Sequence, residues 1–335
     1  MSIIIIKPGV FSTVQDHGRT SFLDQAVPMS GVMDKVSANI ANLLVGNDGD
    51  AALIEVVDGH FECIAETDVL VALVAGNVDV EIDHIASPIN RPVFMPKGSV
   101  LHLKNNIAGR YAYLAIAGGW DVPEVLGSKS TYVTAAFGGY HGRRLQKGDA
   151  LVSSNPLTIQ NKMLFESLES ETVNWPKWSI PASSFSSNPN AKVRVVLGRE
   201  FDWFDDSSVA AFLDNPYQYS NGNRMGYRLV GTKINRKESQ RSELLSTAVV
   251  PGMIQVTGDG SIILLMVDCQ TTGGYPRLAK VAEVDLPICA QLKPGNPIHF
   301  EVISLEDAEM LYIKRDKDFE NLATFIQLKI GSYNG

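Results

Sequence analysis

The chain has 335 residues, 45% hydrophobic and 20% charged, with a formal net charge of −8. That length makes two domains the natural expectation, and the composition is that of an ordinary globular protein. The acidic balance, with no basic stripe, excludes a nucleic-acid surface. No apolar run approaches the ~20 residues of a membrane span, and the short Ile3–Ile6 run has no cleavage pattern after it, so a soluble cytoplasmic protein is expected.

Ile3–Ile6 is β-branched and stops at Lys7-Pro8-Gly9, which reads as a strand closed by a turn. Thr13–Arg19 then crowds Gln15, Asp16, His17 and Arg19 around Gly18. Asp16 beside Arg19 suits either a locked loop or a ligand-facing one. Met29-Ser30-Gly31 leads to Asp34, a candidate N-cap (or ligand group) before a helix through Leu44. Val36, Ile40, Leu43 and Leu44 fall on one side of that helix, and Gly46 suits its C′ position. From Ala51 to Val152 strand follows strand: Leu53–Val57, Val69–Val74, Val78–Ile82, Val100–Leu103 and Tyr111–Ile116 are short, apolar or alternating, and separated by turn residues. Ser153 to Asn190 is rich in proline, serine and asparagine, with Trp175 and Trp178 as its main apolar content, and reads as a connector pinned by its tryptophans.

The second half restarts with Lys192–Leu197 as an alternating strand, and Asp205 to Leu213 reads as a short helix with an acidic start. Ser220–Arg228 sets Asn221, Asn223, Arg224 and Arg228 around Gly222 and Gly226, either an anion-facing loop or a solvated one. Met253–Val256 and Ile262–Val267 form a hairpin that empties into Asp268-Cys269-Gln270-Thr271-Thr272-Gly273-Gly274-Tyr275-Pro276, with Arg277 next. Adjacent glycines let backbone amides point outward together, and such a nest holds a phosphate, a carboxylate or a developing oxyanion; a decorated hairpin turn accounts for the same residues. Ser304-Leu305-Glu306-Asp307 looks like a capping box for a C-terminal helix with Leu311, Phe319, Leu322 and Phe325 on its apolar side. Lys-Pro/Gly turns before Val100, Ala150 and Ile298 echo one another and suggest two related β-domains.

Several chemistries are missing from the sequence. Gly127-Ser128-Lys129-Ser130 lacks the spacing of a P-loop, there is no dinucleotide fingerprint, and the six histidines show no zinc spacing. No Gly-x-Ser-x-Gly occurs, and Cys269, flanked by apolar residues, reads as a buried thiol. The three cysteines (Cys63, Cys269, Cys289) form no Cys-x-x-Cys pair, which argues against a disulfide framework.

Gln270–Pro276, together with Asn223-Arg224-Met225-Gly226-Tyr227-Arg228-Leu229 and Thr13-Val14-Gln15-Asp16-His17-Gly18-Arg19, resembles the biotin-dependent carboxyltransferase-domain family. That family includes the C subunit of bacterial 5-oxoprolinase, the Kip-type antagonists and half of the carboxyltransferase domain of urea carboxylases. The resemblance runs from about Ile5 to Phe300. It departs from the family pattern at Ser21 and Ala26, where glycines are usual, at Lys129 for arginine and at Thr257 for proline.

The resemblance implies a mainly β protein: two linked cyclophilin-like antiparallel β-barrel domains (1–152 and 191–335, joined by 153–190) with a few short helices and a C-terminal helix. It implies an obligate Kip inhibitor-like partner subunit. For a free-standing chain of this length it favours a 5-oxoprolinase with a third, A-type subunit, using ATP (shared with the partner, with Mg) to open 5-oxoproline to glutamate through lactam phosphorylation. A carboxyltransferase served by a separate biotin carrier and a non-catalytic Kip-type antagonist are the alternatives. No biotin is expected on this chain, which has no Ala-Met-Lys-Met-like site, and no amidase Ser/Lys signature supports the name allophanate hydrolase subunit 2. Carried onto this chain, Arg224 and Arg277 would neutralise phosphate or carboxylate, and Gln270 and Thr272 would orient the substrate. Gly273 and Gly274 would give amide donors, Asp16 and Arg19 would form an opposite wall, and Ser30, Asp34, Asn223, Thr271 and Tyr275 would complete the binding set.

Overall fold

The computed structural model describes residues 1–76, 78–106, 109–154, 156–181, 192–240 and 244–331. Residues 182–190 of the expected connector lie outside the described residues. The chain forms two compact units, and neither is contiguous: the first takes Met1–Gly18, Asp34–Ser186 and Asp318–Gly335, the second Arg19–Met33 and Ser187–Lys317. Residues 19–33 group with the second unit, and their partners are described below.

In the first unit the strands are β1 (Ser2–Pro8), β2 (Phe11–Gln15), β3 (Leu53–Val57), β4 (Phe61–Ala65), β5 (Val69–Val74), β6 (Val78–Ile82), β7 (Ile85–Ala86), β8 (Pro92–Met95), β9 (Val100–Asn106), β10 (Tyr111–Ile116) and β11 (Ala150–Val152). They form a six-stranded sheet, β11-β1-β4-β9-β6-β7, and a five-stranded sheet, β2-β3-β10-β5-β8. Alternation explains the core: Ile3 and Ile5, Ile54 and Val56, Cys63 and Ala65, Val69, Val71 and Leu73, and Ala112 and Leu114 meet in one cluster, each strand sending every second side chain inward. Each fully buried Val or Ile contributes about 1.5–3 kcal/mol. Full closure into a barrel, expected for both halves, is not seen among the described residues of this unit, where two sheets share one core.

Helix α1 (Lys35–Leu44) packs on β10 and β5 of this unit. Asp34 caps it, accepting from the Ser37 amide at 3.0 Å, and Gly46 follows at φ 78°, as its sequence position requires. Part of the expected connector is helical: α2 (Ile159–Leu168) starts from a capping box in which Thr158 and Asn161 bond reciprocally. Trp175 packs against the first unit's core, as expected of a pinning side chain.

The second unit contains β12 (Lys192–Leu197), α3 (Asp206–Asp214), β13 (Tyr217–Asn223), β14 (Gly226–Val230), β15 (Thr247–Ala248), β16 (Met253–Val256), β17 (Ile262–Leu265), β18 (Thr272–Gly273), β19 (Arg277–Val281), α4 (Leu286–Ala290) and β20 (Pro297–Val302). Seven of these strands close into a barrel in the order β12-β19-β16-β17-β14-β13-β20. The closing pair, β12 with β20, is parallel, with Lys192 opposite His299, so this barrel is not purely antiparallel. A parallel neighbour needs a long crossover, and the rest of the barrel supplies it. Inside, Tyr219 and Tyr227 lie 4.3 Å apart by ring centroid, and Phe212 of α3 stacks on Phe300 of β20 at 4.7 Å. The expected loop at Ser220–Arg228 is instead the β13–β14 hairpin, turned at Arg224-Met225.

Helix α5 (Leu305–Gly331) follows β20, started by Ser304, whose Oγ accepts from the Asp307 amide at 3.0 Å. Its inward stripe runs Leu311, Phe319, Leu322, Ile326, Ile330, of which the first three are half-buried and the last two buried. Phe325, expected on that stripe, is 45% exposed, because the helical period carries the inward face to Ile326. Among the described residues no helix is long and apolar enough to cross a membrane.

Candidate functional site

Three of the motifs picked out in the sequence meet in the second unit. The β13–β14 turn is set by Asn223, whose Oδ1 accepts from the Met225 amide at 2.8 Å, and it leaves Arg224 directed inward. Asp268, just past β17, holds the Arg224 guanidinium: Nε donates to Oδ2 at 2.8 Å and Nη2 to Oδ1 at 3.2 Å. The Asp268 amide returns a bond to the Arg224 carbonyl at 2.8 Å. Both side chains are more than nine-tenths buried. The same Nη2 donates to the Gly31 carbonyl at 2.5 Å, while the Ser30 amide donates to the Val267 carbonyl at 2.9 Å. Met29-Ser30-Gly31 is thereby fastened at two points, to the strand end that opens Gln270–Pro276 and to Arg224 of the β13–β14 turn.

Ser30 is the unusual residue of this assembly. Its φ is 54°, in the left-handed region that a serine enters at a cost, and its residue exposure is 2%. Its Oγ is buried with no hydrogen-bond partner among the described residues. Strained backbone and an unsatisfied buried hydroxyl thus coincide at this position.

The Gly-Gly pair is built differently from a nest. Neither Gly273 nor Gly274 has positive φ, and Gly273 belongs to β18, paired with Thr247 of β15. Their lack of a side chain serves close approach: a Cβ on Gly273 would stand 2.9 Å from Gln255 Nε2, and one on Gly274 3.0 Å from the Leu244 carbonyl. Gln255 Nε2 donates to the Tyr275 carbonyl at 3.1 Å, and Gln270 Nε2 lies 3.4 Å from the same ideal Gly273 Cβ position. Thr247 Oγ1 beside this pair is buried without a partner among the described residues. Gln270 and Thr272 are exposed, Thr271 is buried with its carbonyl taken by the Val249 amide, and Tyr275 is 46% exposed. Gly274 and Tyr275 line a polar groove of about 760 Å³ with Asn235, Arg236, Thr257 and Asp259.

Arg277 faces Glu200, donating from Nε to Oε2 at 2.7 Å and from Nη2 to Oε1 at 2.5 Å. Burial by itself raises the Glu200 carboxyl, but bonds from the Arg277 side chain and amide outweigh it and leave it below the usual carboxylate range. Arg224 and Arg277, expected as open anion receptors, are thus each engaged by a carboxylate. Arg228 is exposed. Cys269 is inert, as expected: burial, helped by the charge of Asp268, pushes its thiol up to about 12.

Asp16 and Asp34 belong to the first unit, and each closes local structure there. Asp16 accepts from Gly18 N–H at 2.8 Å, Ser128 Oγ at 2.6 Å, Lys129 N–H at 2.5 Å and Ser130 Oγ. The Gly127–Ser130 turn that grazes a P-loop therefore spends both serine hydroxyls and the Lys129 amide on this carboxylate. Asp34 caps α1, and its amide donates to Tyr113 Oη at 2.7 Å, which in turn donates to the buried Glu55 at 3.0 Å. Arg19 and Ser30 belong with the second unit; Arg19 is 1% exposed, and its amide donates to the Met29 carbonyl at 2.8 Å. Sequence reasoning placed Asp268 at the head of the motif without giving it a role, and gave none to Glu200 or Gln255. Among the described residues no group of three His, Cys, Asp or Glu is arranged to hold a metal ion.

A closed barrel carrying this motif on a strand end, preceded by a two-sheet unit, is the architecture of a carboxyltransferase-type domain, and the chain belongs to that family: the model of the carboxyltransferase domain, subdomain A and B, matches residues 25–302. Within it, the chain is 39% identical over 320 residues to the 5-oxoprolinase C subunit of Escherichia coli, covering 95% of this chain and 97% of that one. It is 30% identical over 325 residues to the 5-oxoprolinase C subunit of Haemophilus influenzae, covering 95% and 96%. Among solved structures, the Kluyveromyces lactis urea carboxylase matches with a TM-score of 0.85 at 30% identity, over 96% of this chain and 29% of that one.

Proposed function

We propose that this chain is the C subunit of an ATP-dependent 5-oxoprolinase, opening 5-oxo-L-proline to L-glutamate together with a Kip inhibitor-like partner and a third, A-type subunit. The observation that carries this reading is the match to the Escherichia coli protein across nearly the full length of both chains.

The chemistry of the second unit is compatible with it. A lactam is a poor electrophile, and phosphorylation of its carbonyl oxygen makes ring opening feasible; a site for that step needs hydrogen-bond donors directed at oxygen. Ser30, Gln270 and Thr272 supply neutral donors, and the polar groove beside Gly274 and Tyr275 has room for a small substrate with phosphate groups. Arg224 and Arg277, being paired, are assigned to holding this surface in shape. Asn223 and Thr271 hold the flanking turns, and Asp16 and Asp34 hold loops of the first unit. Magnesium would come with the nucleotide, held mainly by phosphate oxygens, since the described residues offer no three-ligand cluster.

ATP hydrolysis by this chain mixed with its two partner proteins, with and without 5-oxoproline, tests the proposal. Turnover that rises with 5-oxoproline and yields glutamate is expected. Tight assembly without stimulated turnover would overturn it and favour the second reading, a carboxyltransferase working with a biotin carrier, which the likeness to urea carboxylase supports.

A further inference from the structure

We infer that Asp268 is a positioning residue that acts through Arg224 and Gly31 to hold the Ser30 hydroxyl ready for an acceptor oxygen on the ligand, a lactam carbonyl or a phosphoryl oxygen. The inference rests on the proposed function for the identity of the ligand, and on geometry alone for the positioning.

The chain of contacts runs in one direction. The Asp268 carboxylate takes Nε and Nη2 of Arg224 in a fork, which fixes the plane of the guanidinium. That plane directs Nη2 at the Gly31 carbonyl at 2.5 Å. The Val267 carbonyl, one residue before Asp268, takes the Ser30 amide, so Ser30 is gripped on one side by this strand end and on the other, through Gly31, by Arg224 of the β13–β14 turn. The grip is what keeps a serine at φ 54°, where glycine would be the easier residue. What serine has and glycine lacks is the hydroxyl, and that hydroxyl is buried without a partner among the described residues. A hydroxyl satisfied inside the fold would account for a cap or a turn. An unsatisfied one, carried on a strained residue gripped through a buried ion pair, is a donor preorganised for a ligand in a water-poor setting.

The test uses the complete three-protein mixture. S30A is expected to lower kcat for 5-oxoproline-dependent turnover about 100-fold, as loss of one preorganised donor does, without lowering the thermal midpoint. D268N keeps the shape of the side chain but loosens the fork, and is expected to lower kcat about 10-fold with a smaller change in KM. In the S30A background D268N should add less than about a factor of two, because a positioning residue has nothing left to position. R224K, which removes the fork from the other side, should behave like D268N. Independent, multiplying losses from S30A and D268N would overturn the inference, as would full activity of S30A. Hydrogen exchange of the Ser30 amide in D268N gives a readout separate from turnover. Faster exchange is expected and unchanged protection would overturn the positioning step, whether or not the wild-type mixture acts on 5-oxoproline. Absence of wild-type turnover alongside faster exchange would count against the proposed reaction only.

Discussion

Ser30 and the pair Glu200–Arg277 show how single side chains balance stability against a prepared surface. Replacing Ser30 by glycine relieves a left-handed serine and removes an unsatisfied hydroxyl, each about 1 kcal/mol, against about 1 kcal/mol of added freedom in the unfolded chain. S30G is therefore expected to raise stability by about 1 kcal/mol while lowering turnover. A urea titration checks the first part, and a clear loss of stability would mean that the hydroxyl is satisfied within the fold. Glu200 works in the opposite sense. Its folded carboxyl titrates below its unfolded value, so its contribution is complete above the unfolded range near ~4.3 and is lost as pH falls through the folded value. E200Q should flatten that acid limb of the stability profile. E200A, which leaves Arg277 facing a buried site without its carboxylate, should cost about 3 kcal/mol at neutral pH, and E200A with R277M together should cost less than E200A alone. The two arginines of the site were legible in the sequence, but their pairing with Glu200 and Asp268 was not. Glu200 lies 77 positions before Arg277, and Asp268 lies 44 after Arg224, so only the pairing of β12 with β19 and of β14 with β17 joins them.

At the scale of elements, legibility followed burial. β3, β5, β6, β10, β12 and β16 were readable to the residue, because both faces or alternate positions are apolar and turns bound them. The β13–β14 hairpin was not, since beyond Tyr219 its first strand is exposed at every position and its glycines read as loop. A Cβ on Gly222 would stand 2.4 Å from the Gly226 carbonyl, so that glycine serves strand contact and not turn conformation. Helix α2 escaped notice for a related reason: only Asn161, Leu164 and Leu168 are buried, too sparse a stripe to stand out among serines and asparagines. Its capping box makes it testable. T158A should cost about 1 kcal/mol, the usual value of an N-cap. N161A should cost more, about 2 kcal/mol, because the buried Asn161 amide also donates to the Val45 carbonyl at 2.7 Å and to Asn47 Oδ1 at 3.0 Å; its loss strands the Val45 carbonyl and leaves Asn47 Oδ1 with the Gly118 amide alone. Thermal unfolding of the two variants side by side decides the order; a T158A defect larger than that of N161A would contradict it.

For the molecule as a whole, the discontinuous second unit is the consequential feature. Residues 19–33 are remote in sequence from the barrel they join, and they enter it through the Ser30 amide on Val267 and the Arg224 guanidinium on Gly31. A fragment of residues 187–317 is therefore missing part of its own unit, and is expected to unfold at lower denaturant than the same residues do in the intact chain. The missing piece should act as a ligand. A peptide of residues 19–33 supplied at about 100 times its dissociation constant stabilises the fragment by about 2.7 kcal/mol if it binds only the folded form. The same peptide with Ser30→Pro should fail, because proline cannot donate to the Val267 carbonyl and cannot adopt φ 54°. Fluorescence-monitored urea unfolding of the fragment with each peptide separates the outcomes. Stabilisation by the first peptide alone ties the unit's integrity to the Ser30 clamp, equal stabilisation by both places the binding elsewhere in residues 19–33, and no effect from either means that the barrel holds its site without the inserted segment.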